Sequence, residues 1–92
     1  RTLYASERTS STLSSFRIDA ATGQLQPLGQ VPTEKSPRGF AVDASGRFLV
    51  AAGQESHHIA LHPIDPATGI PGAATRVPAG KNPNWVEIVD LP

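Results

Sequence analysis

Arg8, Arg38, Gln54 and His57 are among the side chains of this chain whose types suit holding a small anion. Arg38 follows Pro37, and a guanidinium at the mouth of a strand can grip a carboxylate or phosphate through two parallel N–H bonds. A structural ion pair is the alternative use of Arg38, as neutralisation by the neighbouring Glu7 is for Arg8. His57 and His58 are consecutive, so only one can face inward from a strand. With no third ligand nearby the pair does not spell a metal site, and an imidazole bonded to backbone is the plainer reading. Glu87, among Trp85, Val86, Ile88 and Val89, reads as an ion-pair partner for a nearby base rather than as a general base.

These residues need elements to position them. The stretch from Ser36 to Gln54 reads as two short strands folded back at Ser45-Gly46. Phe40 and Val42 share a face of the first, over Arg38 to Asp43. The second, Arg47 to Ala52, puts Phe48 and Val50 on one face and Leu49 and Ala51 on the other. Apolar residues on both faces predict a strand sandwiched between layers. Further strands are predicted at Thr2 to Ser6, Thr12 to Asp19, Gln24 to Val31, Ser56 to Asp65, Ile70 to Val77 and Asn84 to Asp90. Thr12 to Asp19 should be less buried than Thr2 to Ser6, and Ile70 to Val77, with Pro71 and Gly72, should be an exposed edge. No window has helical spacing, and the chain reads as all-β.

Sliding the sequence by 46 residues, Arg1 onto Arg47, aligns Leu3 with Leu49, Ala5 with Ala51, Ala21-Thr22-Gly23 with Ala67-Thr68-Gly69, Lys35 with Lys81 and Pro37 with Pro83. A period of this length holding four short strands marks a β-propeller blade, which buries its faces only against neighbours. The predicted units are three strands of an incomplete blade over 1–33, a complete blade with its leading loop over 34–79, and an inner closing strand over 80–92. Two blades do not make a ring, and RTLYAS already resembles the inside of a strand, so the chain is expected to be part of something longer. Antiparallel pairing gathers Arg8, Lys35, Arg38, Gln54, Ser56, His57, Lys81 and Asn84 on one rim and the tight Asp-containing turns on the other.

Composition narrows the partners. Eight basic and eight acidic residues cancel, with no basic block, which gives no electrostatic footprint for nucleic acid or an anionic membrane. There is no cysteine and no apolar run near the roughly 20 residues of a membrane span. A chain of this size buries only about 60 to 65% of its unfolded surface, so stability should be thin.

The elements Pro-Arg-Gly-Phe, Val-Asp-x-Ser-Gly, Ala-Ala-Gly-Gln and Ser-His-His-Ile, followed by GKNPNWVEIVD, occur in that order. Together they resemble the C-terminal end of the lactonase-type seven-bladed β-propellers, the family of bacterial 6-phosphogluconolactonase and a relative of the 3-carboxymuconate lactonising enzymes. The resemblance implies a ring of about seven blades and hydrolysis of a sugar-acid lactone such as 6-phosphogluconolactone, or lactonisation of a carboxymuconate-type substrate. It favours Arg38 and Arg8 as anchors for an anionic lactone, with Gln54 and His57 beside them, and leaves catalytic residues, including a His, to other blades. It implies no cofactor, a cytoplasmic enzyme, and no turnover by these 92 residues alone. A non-catalytic binding platform, and a module completed by identical copies rather than by other blades of a parent chain, are the competing readings.

Overall fold

A computed structural model describes residues 1–89, all strands and connections. The strands are β1 (Thr2–Glu7), β2 (Thr12–Ile18), β3 (Leu25–Pro32), β4 (Pro37–Val42), β5 (Phe48–Gly53), β6 (His58–Pro63) and β7 (Thr75–Pro78). They form a three-stranded sheet, β1-β2-β3, and a four-stranded one, β4-β5-β6-β7, each an antiparallel meander. Among the described residues no helix is long and apolar enough to cross a membrane.

The 46-residue period is written into the backbone. Leu3 pairs with Phe16 and Leu49 with His62; Thr12 pairs with Pro32 and His58 with Pro78. Each of these second pairs is the first displaced by one period. The turns repeat as well. Asp19 Oδ1 accepts from Ala21 N and its carbonyl from Gly23 N, and Asp65 does the same for Ala67 and Gly69, all at 2.7–2.8 Å. Gly23 and Gly69 both stand at positive φ, 73° and 77°, where a side chain would cost strain. Identical local chemistry makes identical turns, which is why the sequence repeat survives as a structural one.

The core lies between the two sheets. Leu13 of β2, Leu49 and Ala51 of β5 and Ile64 are buried together, with Tyr4, Val31 and Phe40 packed around them. Burying each Leu contributes about 2–3 kcal/mol, and neither sheet buries its Leu without the other. Tyr4 spans the same boundary, donating its hydroxyl to the Gly69 carbonyl at 2.6 Å, and burial holds its phenol above the usual range.

Three sequence expectations change. β2 is more buried than β1, with Leu13 and Ser15 inaccessible, because β2 is central in its sheet and β1 is an edge. On β5 the Leu49–Ala51 face is buried, while the other face runs from Phe48, 38% exposed, to a fully buried Ala52, so the sandwiching is complete only at the far end of the strand. Residues 84–89 form no ladder, and Asp90 lies outside the described residues. A strand exists only by pairing, and the segment meets β4 through packing instead: a Cβ on Gly39 would stand 2.7 Å from the Asn84 carbonyl and 3.0 Å from Trp85 Cα. The expected exposed edge is present as β7, shorter than predicted and exposed throughout.

Candidate functional site

The end of the sheets where β4 begins and β5 finishes is built by the linker from Thr33 to Ser36 lying over the β5–β6 turn. Ser36 and Lys35 carbonyls accept from Gln54 N (3.2 Å) and Glu55 N (3.3 Å). The Ser36 hydroxyl bonds Glu55, and Lys35 Nζ stands 3.9 Å from the same carboxylate. Gly53 permits this closeness: Glu34 Cβ and Ser56 Oγ occupy the place a Cβ would need.

Ser11 and His57 hold equivalent corners, both at φ 56°. The Ser11 carbonyl accepts from Thr33 N and its hydroxyl from Ser36 N; the His57 carbonyl accepts from Ala79 N and its Nδ1 from Asn82 N at 3.1 Å. That bond makes Nδ1 the acceptor and places the ring proton on Nε2. His58 points its Nδ1–H at the Ser56 carbonyl, 2.6 Å away. Both imidazoles are therefore bonded to backbone.

Arg8 and Gln54, one period apart, meet: Arg8 Nη2 donates to Gln54 Oε1 at 2.8 Å. Glu7 does not neutralise Arg8 but accepts from Thr9 N at 2.8 Å. Arg38 sits in a bulge, since β4 pairs Pro37 with Gly53 and Gly39 with Ala52, leaving Arg38 without an opposite residue. A bulge re-aims the side chain it carries. The Arg38 guanidinium is exposed and, among the described residues, has no hydrogen-bond or ion-pair partner.

Two groups here escaped the sequence reading. Glu34 is only 3% exposed and receives both arms of Arg76, Nε to Oε2 at 2.6 Å and Nη2 to Oε1 at 2.9 Å. Arg76 holds the Glu34 carboxyl below the usual glutamate range, outweighing the burial that pushes it up. His62 is fully buried; its Nδ1–H donates to the Gly72 carbonyl at 2.9 Å and its Nε2 takes the Thr33 hydroxyl at 2.9 Å. The sequence signal was a departure from the repeat: His62 falls on Phe16, Glu34 on Gly80 and Arg76 on Gln30.

Glu87 is a correction. It is exposed and accepts the Trp85 indole N–H at 3.0 Å, and among the described residues it pairs with no base at the rim. An extended segment without a neighbouring strand does not bury its middle residue.

The acids and imidazoles of this rim are thus engaged, while Arg38 and the remaining arms of Arg8 are open to an anion. A surface groove of about 650 Å³ lies elsewhere, between Pro63 and Gly72, and is lined by no basic side chain. A smaller one of about 300 Å³ adjoins the rim between Glu34, Lys35, Ser56 and Arg76.

A family model described as lactonase, 7-bladed β-propeller, matches residues 1–88. The chain belongs to this family. It is 46% identical over 89 residues to a 6-phosphogluconolactonase of Sodalis glossinidius and 48% over 91 to one of Photorhabdus laumondii, covering 97% and 99% of this chain. The chain spans about a quarter of these relatives' length, 27% and 28%. Among solved structures it superposes on the Pseudomonas aeruginosa periplasmic gluconolactonase PpgL with a TM-score of 0.93 at 30% identity, over 100% of this chain and 26% of that one. A Lactobacillus plantarum protein follows at 0.88 and 27%, over 97% and 26%. A quarter of a seven-bladed ring is close to two blades, and the two sheets described above are two such units.

Proposed function

We propose that this chain supplies part of the active-site rim of a propeller enzyme that hydrolyses a sugar-acid lactone, with 6-phosphogluconolactone the leading substrate. The observation that carries the reading is Arg38: an exposed guanidinium aimed by a bulge, on the rim where Gln54 holds Arg8. A phosphorylated sugar lactone offers the dianion that such a pair of cations would take. Gln54 orients Arg8 and leaves its other N–H groups outward. His57, with Nδ1 occupied by Asn82 N, has Nε2–H to donate to a substrate oxygen.

Hydrolysis of the ring ester requires a base to deprotonate water, attack on the carbonyl carbon, and cleavage of the acyl–oxygen bond with a proton delivered to the departing ring oxygen. Cations contribute by holding the substrate's anionic group and the oxyanion of the tetrahedral intermediate. Since the rim acids are already bonded, the base is assigned to other blades, and these 92 residues alone are proposed to be inactive. Hydrolase chemistry is the reading the named relatives support; lactonisation of a muconate has no such support. A phosphorylated lactone does not cross a bilayer unaided, which favours the cytoplasm as the compartment, with the periplasm of the P. aeruginosa neighbour as the outcome fractionation would otherwise find.

The test is a chimera in which these residues replace the matching stretch of the Sodalis glossinidius relative. Arg38→Met should raise KM for 6-phosphogluconolactone by about 10- to 100-fold, the loss of a charge-assisted pair worth about 1.5–3 kcal/mol. An unchanged KM would remove Arg38 from the substrate site.

A further inference from the structure

The linker from Thr33 to Ser36 is held by ties of two kinds. The corner ties recur with the period, Ser11 to Ser36 N in one repeat and His57 to Asn82 N in the next. The Glu34–Arg76 pair does not recur in the next linker, where Gly80 stands in the place of Glu34; in the preceding unit Gln30 stands in the place of Arg76 and bonds Ser14 Oγ instead. The open cation breaks the period in the same place, since Arg38 falls on Asn84. Two repeats of one scaffold have the same structural needs, so a tie made in one and absent from the other is not demanded by the blade itself.

We infer that Glu34 and Arg76 are positioning residues for Arg38, fixing the linker so that the bulge presents its guanidinium to the substrate's anionic group. The inference rests on the reading of Arg38 as the anion anchor. Three residues separate Glu34 from Arg38, and the whole path is constrained. Glu34 is wedged against Gly53, with its carboxylate gripped at 2.6 and 2.9 Å. Lys35 and Ser36 give their carbonyls to Glu55 and Gln54. Pro37 has a fixed φ and is buried, and Arg38 follows in the bulge. Without the guanidinium of Arg76, a carboxylate this buried is drawn toward water, and the linker lifts with it. The displacement passes along a stiff path to Arg38.

The chimera tests this through Glu34→Gln, which keeps the volume beside Gly53, Arg76→Met, and the double substitution. Each is expected to raise KM for 6-phosphogluconolactone about tenfold, on the scale of a sub-ångström misplacement, while kcat and the KM for unphosphorylated gluconolactone move less than about twofold. The double variant should be no worse than either single one, because the same contact is lost in all three. Amide exchange across residues 33–38 should quicken about tenfold in Glu34→Gln, a readout independent of turnover. Wild-type exchange there, or equal losses on both lactones, overturns the inference. Should exchange quicken while Arg38→Met leaves KM untouched, the linker's dependence on Glu34 stands and the anchor reading of Arg38 falls.

Discussion

Replacing Gly53 by Ala tests the close approach on which the rim depends. The added Cβ would lie less than 3.0 Å from both Ser56 Oγ and Glu34 Cβ, with Glu34 Cγ at 3.2 Å. Ser56 can rotate away, but Glu34 Cβ is one bond from the backbone, so the linker itself must retreat by about 1 Å to restore van der Waals contact. The two carbonyl bonds it makes are already long, 3.2 and 3.3 Å, and weaken with that shift. Overpacking costs about 1–3 kcal/mol and the weakened bonds about 1 kcal/mol. The lost flexibility of the unfolded chain returns about 0.4–1 kcal/mol. The net is a destabilisation of about 1–3.5 kcal/mol. Gly72→Ala is the control, since its Cβ would meet Pro63 at 3.6 Å, an ordinary contact, and its effect should stay within about 0.5 kcal/mol. Urea unfolding followed by far-UV circular dichroism, on the chain or on the chimera, should separate the two midpoints by about 1–2 M. Equal midpoints would refute the packing of Glu34 against Gly53, and with it the account of how the linker is seated.

Two further outcomes are expected. The Glu34 carboxyl binds its proton less tightly folded than unfolded, so its stabilisation is complete above about pH 4.3 and is lost as pH falls toward the lower folded value. Glu34→Gln should flatten that acid limb of stability, and an acid limb identical to wild type would contradict the pairing with Arg76. At His57, φ is 56° and Nδ1 accepts from Asn82 N. Asn tolerates this backbone and brings an acceptor oxygen, so His57→Asn should shift stability by about 0.5 kcal/mol or less, whereas His57→Val should cost about 2 kcal/mol. Matched unfolding curves for the two variants would mean that neither the backbone conformation nor the Asn82 bond matters.

The rim was partly legible in advance. Arg8, Lys35, Gln54 and His57 could be gathered at one end because antiparallel pairing and a fixed period place residues 46 apart at matching corners, and Arg8 indeed touches Gln54 across that interval. Glu34, Arg76 and His62 were not legible as a group. They lie far apart in sequence, Glu34 to Arg76 spanning 42 residues and Thr33 to His62 29, and no local pattern relates them. The bulge at Arg38 was likewise hidden, since it arises from how Pro37 and Gly39 find partners on β5 rather than from either residue's own preference.

What the sequence by itself determined is whatever depends on neighbours along the chain: strand alternation, the Asp-x-Ala-Thr-Gly turns, and the period that makes two blades of one design. Those are local preferences, fixed by sterics and short-range hydrogen bonds before any folding partner is met. Only the tertiary structure decided how far each face of β5 is covered, that Glu34 is buried with Arg76, and that residues 84–89 lie against Gly39 without joining a sheet. Burial and pairing belong to contacts between distant segments, and their free energy exists only once those segments have met.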